Sequence, residues 1–120
     1  MALAPSIPLT TLKNRADFLR LRRGRKFVSP FFILRYAPSN VPNPGARVGY
    51  TVTTKCGNAV VRNRIKRRLR ALVRELFPGL ASAGYDYIFI ALEKSQVEHV
   101  PFDLLRTTMR EALDYAGKHP

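Results

Sequence analysis

The chain has 120 residues, of which 46% are hydrophobic, and this is enough for one domain whose packed core needs neither metal nor disulfide. It carries 21 Lys and Arg against 8 Asp and Glu, a formal charge of +13, so the expected partner is a polyanion, above all nucleic acid. The single cysteine, Cys56, excludes an internal disulfide, and a zinc site would have to rely on two isolated histidines.

Nothing in the sequence points to a membrane. No apolar run approaches the roughly 18 residues that a spanning helix needs. The N-terminal stretch has no basic region and is interrupted by Pro5 and Pro8, which is unlike a signal peptide. We therefore expect a soluble cytoplasmic protein with no membrane partner and no obligate protein partner.

The first third of the chain predicts a tail, a short helix and a strand. Residues 1–10 show no periodicity and are interpreted as a flexible tail. Thr10 or Thr11 can cap a helix that runs to about Arg23, after which Arg25 and Lys26 lie in a connection. Residues 31–36 predict the first strand. Its alternation places Phe31, Ile33 and Arg35 on one face and Phe32, Leu34 and Tyr36 on the other.

The central part predicts a second strand and a long basic helix. Residues 46–54 alternate Val48, Tyr50 and Val52 with polar or small residues, which favours an antiparallel partner to the first strand. Residues 58–77 follow a helical period, with Asn58 as the N-cap and Pro78-Gly79 as the stop. Its apolar side chains share an arc of about 120°. They are Val61, Ile65, Leu69, Leu72, Val73 and Leu76.

The last third predicts a central strand and a final helix. Residues 85–92 are almost continuously apolar, as in a strand covered on both faces at the centre of a sheet. A helix begins near Pro101, and residues 117–120 form a C-terminal tail. The order α-β-β-α-β-α predicts one α+β domain over residues 11–116, with a small mixed sheet of three or four strands and about three helices.

The sequence offers little for catalysis by the protein itself. A magnesium-dependent nuclease needs converging carboxylates, but the eight acidic residues are dispersed and fall mostly on outward helix or loop positions. His99 and His119 lie in a polar loop and at a terminus, where histidine is usually solvated. No phosphate loop or nucleophile motif is present.

The informative stretch is residues 62–70, RNRIKRRLR, on the polar side of the basic helix. Arginine suits phosphates and base edges because its planar fork donates hydrogen bonds in pairs, and Asn63 can both donate and accept at a base edge. We interpret this face as an RNA- or DNA-binding surface. A solvated charge run and a membrane-surface or calmodulin-type helix are the alternatives.

These residues also resemble a known family. Lys55-Cys56-Gly57-Asn58-Ala59-Val60 followed by residues 62–67 is similar to the signature of the protein subunit of bacterial ribonuclease P. Weaker matches occur at Leu12, Asp17, Phe18, Gly24, Arg47-Val48-Gly49 and residues 85–88, so the resemblance covers about residues 11–113.

The resemblance implies a subunit of an endoribonuclease that removes the 5′ leader from precursor tRNA and so forms the mature 5′ end. The chemistry is then expected to come from a catalytic RNA subunit with Mg²⁺ bound mainly by that RNA. The partners would be this catalytic RNA and precursor tRNA. The family also implies a left-handed β-α-β crossover around the motif helix, against the usual right-handed rule. A cleft between the first helix and the sheet would hold the single-stranded leader.

By position, the resemblance implies two sets of site residues. The RNA-binding set on the motif helix is Arg62, Asn63, Arg64, Lys66, Arg67 and Arg70, and the leader-cleft set is Phe18, Arg22, Ile33, Arg35 and Lys55. Arg22 and Arg35 stand where many relatives carry aromatic residues, so leader binding is expected to be more electrostatic and more salt-dependent. A non-catalytic ribosomal or other structured-RNA-binding protein is the alternative function, and a duplex-DNA-binding protein is a third.

Overall fold

The computed structural model describes residues 8–93 and 97–120. These residues form three α-helices and five strands. In chain order they are β1 (Leu9–Thr11), α1 (Arg15–Leu21), β2 (Arg25–Val28), β3 (Phe32–Pro38), β4 (Ala46–Thr51), α2 (Ala59–Leu80), β5 (Tyr85–Ala91) and α3 (Phe102–Lys118), with a 3-10 turn at Thr54–Cys56. The predicted α+β class, with a mixed sheet and three helices, is confirmed.

The strands form one sheet in the order β1-β4-β5-β3-β2. The prediction that β5 lies at the centre is therefore correct. The predicted antiparallel pairing of β3 with β4 is wrong, because β5 lies between them, antiparallel to β3 and parallel to β4. Strands adjacent in sequence usually pair, but here α2 returns the chain so that β5 can bury both of its edges. The parallel strands of the expected crossover are thus present, and its left hand stays a prediction.

The two faces of the sheet are covered by different helices. Helices α2 and α3 pack on one face around a large apolar cluster that includes Phe32, Phe89 and Leu69. On the opposite face, Leu21 of α1 packs with Leu12 and Ile88 in a smaller cluster. The predicted alternation in β3 is confirmed, since Phe32, Leu34 and Tyr36 are buried while the intervening side chains are only partly covered. Much of the sheet on the α1 side therefore remains accessible.

Helix α2 forms as its local sequence predicts. The Oδ1 of Asn58 accepts a hydrogen bond of 3.0 Å from the N–H of Val61, which caps the first turn. The predicted stripe is buried from Ile65 to Leu76, and Val61 is partly buried. Pro78 does not end the helix as predicted. It lacks only its own N–H, and the N–H of Ala81 still reaches the carbonyl of Phe77 at 2.9 Å, so the last turn is completed.

The largest differences from the predicted elements lie near the ends. Leu9 to Thr11 pair with β4 as an edge strand, so Asn14, not Thr10 or Thr11, caps α1. Arg25 and Lys26 belong to β2, which pairs with β3. The sheet thus has five strands, not the predicted three or four, and the predicted order α-β-β-α-β-α lacks β1 and β2, because both edge strands are too short to show a period in the sequence. Residues 1–7 of the predicted N-terminal tail lie outside the described residues. The predicted C-terminal tail is shorter, because α3 continues to Lys118.

Candidate nucleic-acid interface

The polar side of α2 carries most of the predicted RNA-binding residues in the open. Asn63, Arg64, Arg67 and Arg70 are exposed, whereas Arg62 and Lys66 are partly buried. Within the described part of the chain, only Arg64 of these six has an acidic partner, with 3.7 Å between its Nη1 and the Oε2 of Glu98. Cations without acidic neighbours keep their full charge available for a polyanion. This side of α2 is therefore a strongly positive surface.

On the flank of α2 that faces α3, the side chain of Arg68 binds other groups of the protein itself. The guanidinium of Arg68 donates hydrogen bonds to the carbonyls of Val97 and Val100, and it lies 5.4 Å from the ring centroid of Phe102. Further along, Arg106 of α3 donates to Glu75 of α2 at 2.6 Å. Arg68 belongs to the same basic run as the predicted site residues, but it anchors the segment that leads into α3. Its role differs from that of the neighbouring arginines only because of these tertiary contacts.

On the other face of the sheet, α1 and the strands enclose a groove of about 240 Å³. Its lining combines apolar, hydroxyl and cationic side chains: Phe18, Leu21, Arg22, Arg35, Thr51, Thr53, Ile88 and Ile90. Three predicted cleft residues, Phe18, Arg22 and Arg35, are thus brought together. A second depression of about 420 Å³ shares Thr53 and Ile90 with the groove and continues to the end of β5. The floor can contact bases while the rim can contact phosphates.

The ring of Phe18 lies directly on Gly49 of β4. A Cβ added to Gly49 would come within 2.6 Å of the Cζ of Phe18, so only glycine permits this close approach. Phe18 also packs against the small cluster under α1, and it is therefore both a core residue and a wall of the groove. On the opposite wall, Arg35 donates to the carbonyl of Gly24 at 3.2 Å, which orients its guanidinium.

The other two predicted cleft residues, Ile33 and Lys55, do not line the groove. Ile33 is on the same face as Arg35 and pairs in register with Ile90, but it does not line the groove. Lys55 is exposed in the 3-10 turn before α2. Arg62, in the first turns of α2, has an Nε that is shielded from solvent and makes no hydrogen bond within residues 8–93 and 97–120. An unpaired buried donor costs free energy, which a ligand that supplies an acceptor would recover.

A buried carboxylate that the sequence patterns do not predict holds α1 on the sheet. Asp86 of β5 is fully buried and accepts hydrogen bonds from Arg47 at 2.8 and 2.6 Å, from Ser39 at 2.6 Å, and from Arg20 of α1. Burial opposes ionisation, but these hydrogen bonds outweigh it and lower the pKa of Asp86 below its ordinary value. The same contact raises the pKa of Arg47.

The dispersed acidic residues expected from the sequence are therefore partly brought together. Asp17 of α1 lies 3.7 Å from Arg47 and 3.4 Å from Arg20, so it joins the network around Asp86. The sequence does contain one signal of a buried ion pair, an aspartate within the otherwise apolar strand YDYIFIA. An aspartate at such a position is rarely buried unless a cation pairs with it. In the described part of the chain, no three His, Cys, Asp or Glu side chains converge on a possible metal site.

Comparison with known proteins gives a consistent result. The family described as Ribonuclease P matches residues 9–117. The ribonuclease P protein component of Paramagnetospirillum magneticum is 45% identical over 91% of this chain and 84% of that protein. That of Bartonella quintana is 42% identical over 90% of this chain and 84% of that protein.

Solved structures show the same fold. The ribonuclease P protein from Thermotoga maritima superposes with a TM-score of 0.76 at 27% identity, covering 88% of this chain and 96% of that one. The Staphylococcus aureus protein gives a TM-score of 0.73 at 25% identity, covering 88% and 94%. None of the helices described is long and apolar enough to cross a bilayer. The family match, the relatives and the fold agree, and the chain belongs to the family of ribonuclease P protein components.

Proposed function

We propose that this chain binds both the catalytic RNA of ribonuclease P and the 5′ leader of precursor tRNA, and so promotes removal of the leader. The observation that carries the proposal is the presence of two separate surfaces of suitable chemistry. The exposed cations of α2 form one, and the groove between α1 and the sheet forms the other. A single protein can therefore contact two RNA segments at once.

The groove suits a single strand better than a duplex. Its floor is apolar, with Ile88, Ile90 and the ring of Phe18, so unstacked bases can rest on it. Its rim carries Arg22 and Arg35, and Lys26 of β2 is paired in register with Arg35. Because arginines replace the aromatic residues expected at two positions, leader binding should depend more on phosphate contacts and fall more steeply with salt.

The chemistry of cleavage is proposed to reside in the RNA subunit, where Mg²⁺ would activate the attacking water and stabilise the leaving oxygen. Two of the carboxylates of this chain, those of Asp86 and Asp17, have a structural role instead. Asp86 is saturated by hydrogen bonds from arginines and serine, and Asp17 lies against the same guanidinium groups. A carboxylate held by arginines in this way is poorly placed to bind a magnesium ion.

Reconstitution with the catalytic RNA tests the proposal. The protein alone should leave precursor tRNA uncut, and together with the catalytic RNA it should lower the Mg²⁺ concentration needed for cleavage. Cleavage by the protein alone, with nuclease-free preparations, would contradict the division of labour. Failure to bind the catalytic RNA or to assist it would favour a structured-RNA-binding protein without a processing role.

The groove is tested separately with Arg22→Gln, which removes an exposed charge from the rim. Affinity for precursor tRNA should fall, and its salt slope should decrease by about 0.7 for a lost single-strand phosphate contact. Affinity for mature tRNA without a leader should not change. Arg110→Gln, which removes an exposed charge from α3, is the matched control. An equal loss with mature tRNA would move Arg22 out of the leader site.

A further inference from the structure

The two flanks of α2 differ in how their cations are neutralised. Towards α3, Arg68 is bound to carbonyl groups and Glu75 is paired with Arg106. Towards the outer strands, Arg70 and Arg74 have no acidic side chain within 4 Å among the described residues. They stand four positions apart, where like charges on a helix repel each other. The positive charge of this pair is therefore available for an anionic ligand.

Arg70 and Arg74 border a small notch between α2 and the outer strands of the sheet. The notch has a volume of about 150 Å³, and its polar lining is completed by Thr11 of β1 and Tyr50 of β4. Its base is apolar, formed by the buried side chains of Val48 and Val73. The guanidinium carbon of Arg70 lies 5.7 Å from the centroid of the Tyr50 ring. Two arginines and two residues that carry hydroxyl groups therefore line one concave space.

The hydroxyl of Tyr50 is a donor under all ordinary conditions. Burial raises its pKa to about 12, although the charges of Arg70 and Arg74 act in the opposite direction. Protonated Tyr50, Thr11 and the two arginines can all donate hydrogen bonds, and the lining contains no carboxylate. Such a donor set selects a compact anion. The volume is below the roughly 300 Å³ at which pockets begin to accept whole small molecules, so the notch suits a single phosphate group.

We propose that this notch binds one backbone phosphate of the catalytic RNA, a proposal that rests on the proposed function above. The notch is continuous with the exposed cations of α2 but lies on the opposite face of the sheet from the groove. The leader and the catalytic RNA would then bind on different faces. The contact made by α2 would extend past the helix to β1 and β4, because Thr11 and Tyr50 complete the phosphate site.

The experiment measures binding of the whole chain to the catalytic RNA over a series of salt concentrations. Arg74→Gln should weaken binding about tenfold, as expected for loss of a charge-assisted hydrogen bond. It should also lower the salt slope by about 0.9, for one phosphate contact. Tyr50→Phe should weaken binding a few-fold and leave the slope unchanged, because it removes only a hydroxyl group. Arg110→Gln on α3 is the matched charge control and should bind like wild type.

A shared phosphate makes a further quantitative prediction. If the phosphate is held only when both arginines are present, Arg70→Gln combined with Arg74→Gln should lower the slope by about 0.9, as Arg74→Gln does alone, and a loss of twice that value would show that the two arginines contact different phosphates. Urea unfolding of each variant checks that the fold is intact. Thr11→Val removes a hydroxyl group without changing the side-chain shape or the charge, and its binding to the catalytic RNA therefore tests the contribution of Thr11 to the site.

Distinct results separate the possible failures. If wild type binds the catalytic RNA and Arg74→Gln binds equally well with the same slope, the notch proposal is overturned while the proposed function stands. An equal loss for Arg110→Gln would also overturn it, because the effect would be one of net charge. Weaker binding to precursor tRNA alone would refute the assignment to the catalytic RNA. If wild type itself does not bind the catalytic RNA, both the proposed function and the notch proposal are overturned.

Discussion

Replacing Asp86 with Asn removes the buried charge around which α1, β4 and the loop after β3 are assembled. The carboxylate accepts from both Arg47 and Ser39 as well as from Arg20, and its side chain has no exposure to solvent. The amide of Asn would direct N–H groups at guanidinium donors. Loss of two charge-assisted hydrogen bonds costs about 3 to 5 kcal/mol.

We expect a value near the lower end, about 3 kcal/mol, because the remaining charges are not fully trapped. The side chains of Arg20 and Arg47 are 28% and 19% exposed, so water can reach both when the carboxylate is gone. Asp103→Asn is the matched control, since that carboxylate is 94% exposed and pairs with Arg106 at the surface. It should change the free energy of unfolding by less than about 1 kcal/mol. Urea unfolding at pH 7 measures both variants.

The effect should also depend on pH in a defined direction. The pKa of Asp86 is lowered in the folded state, so its stabilising contribution is present above the unfolded pKa, about 3.9, and is lost as pH falls through the folded value. The difference between wild type and Asp86→Asn should therefore shrink below about pH 4. A variant as stable as wild type at pH 7, or a difference that is constant down to pH 2, would refute the argument.

Three further predictions concern the helix and the groove. Leu69→Ala should lower the free energy of unfolding by about 2 to 5 kcal/mol in urea, because Leu69 is completely buried, and a wild-type midpoint would contradict the buried stripe. Arg67→Gln should lower the salt slope for RNA binding by about 0.9 without loss of stability. Arg68→Gln should instead destabilise the fold and leave the salt slope unchanged. The reverse pattern would contradict the assignment of the two flanks of α2. Gly49→Ala should displace the Phe18 ring and weaken binding of leader-bearing tRNA more than binding of mature tRNA. If the variant binds both tRNAs as tightly as wild type does, Phe18 has no role in leader binding.

The groove depends on the network at Asp86, whereas α2 takes no part in it. Helix α1 carries Phe18 and Arg22 of the groove, and its Arg20 is held by Asp86 on the central strand. The position of α1 therefore depends on an ion pair whose members come from different elements. A variant that weakens this network should loosen the groove before it affects α2, since α2 packs on the opposite face.

Predictions from local patterns were accurate where neighbouring residues decide the structure. The cap at Asn58, the buried stripe of α2 and the alternation in β3 all depend on residues two to four positions apart. The central position of β5 followed from its continuous apolar character. The family resemblance supplied five candidate cleft residues, of which Phe18, Arg22 and Arg35 line one groove and Ile33 and Lys55 do not.

Composition and helical period are local properties, so the sequence is sufficient to predict a basic α+β domain with one long, amphipathic, arginine-rich helix. The pairing of the strands, the burial of Asp86 and the lack of acidic partners for most arginines of α2 depend instead on contacts between distant parts of the described chain. Those outcomes join residues 39 and 66 positions apart, as in the contacts of Arg47 and Arg20 with Asp86. Arg67 and Arg68 are adjacent in sequence and chemically identical, yet the packing of α3 against one flank of α2 gives them different environments.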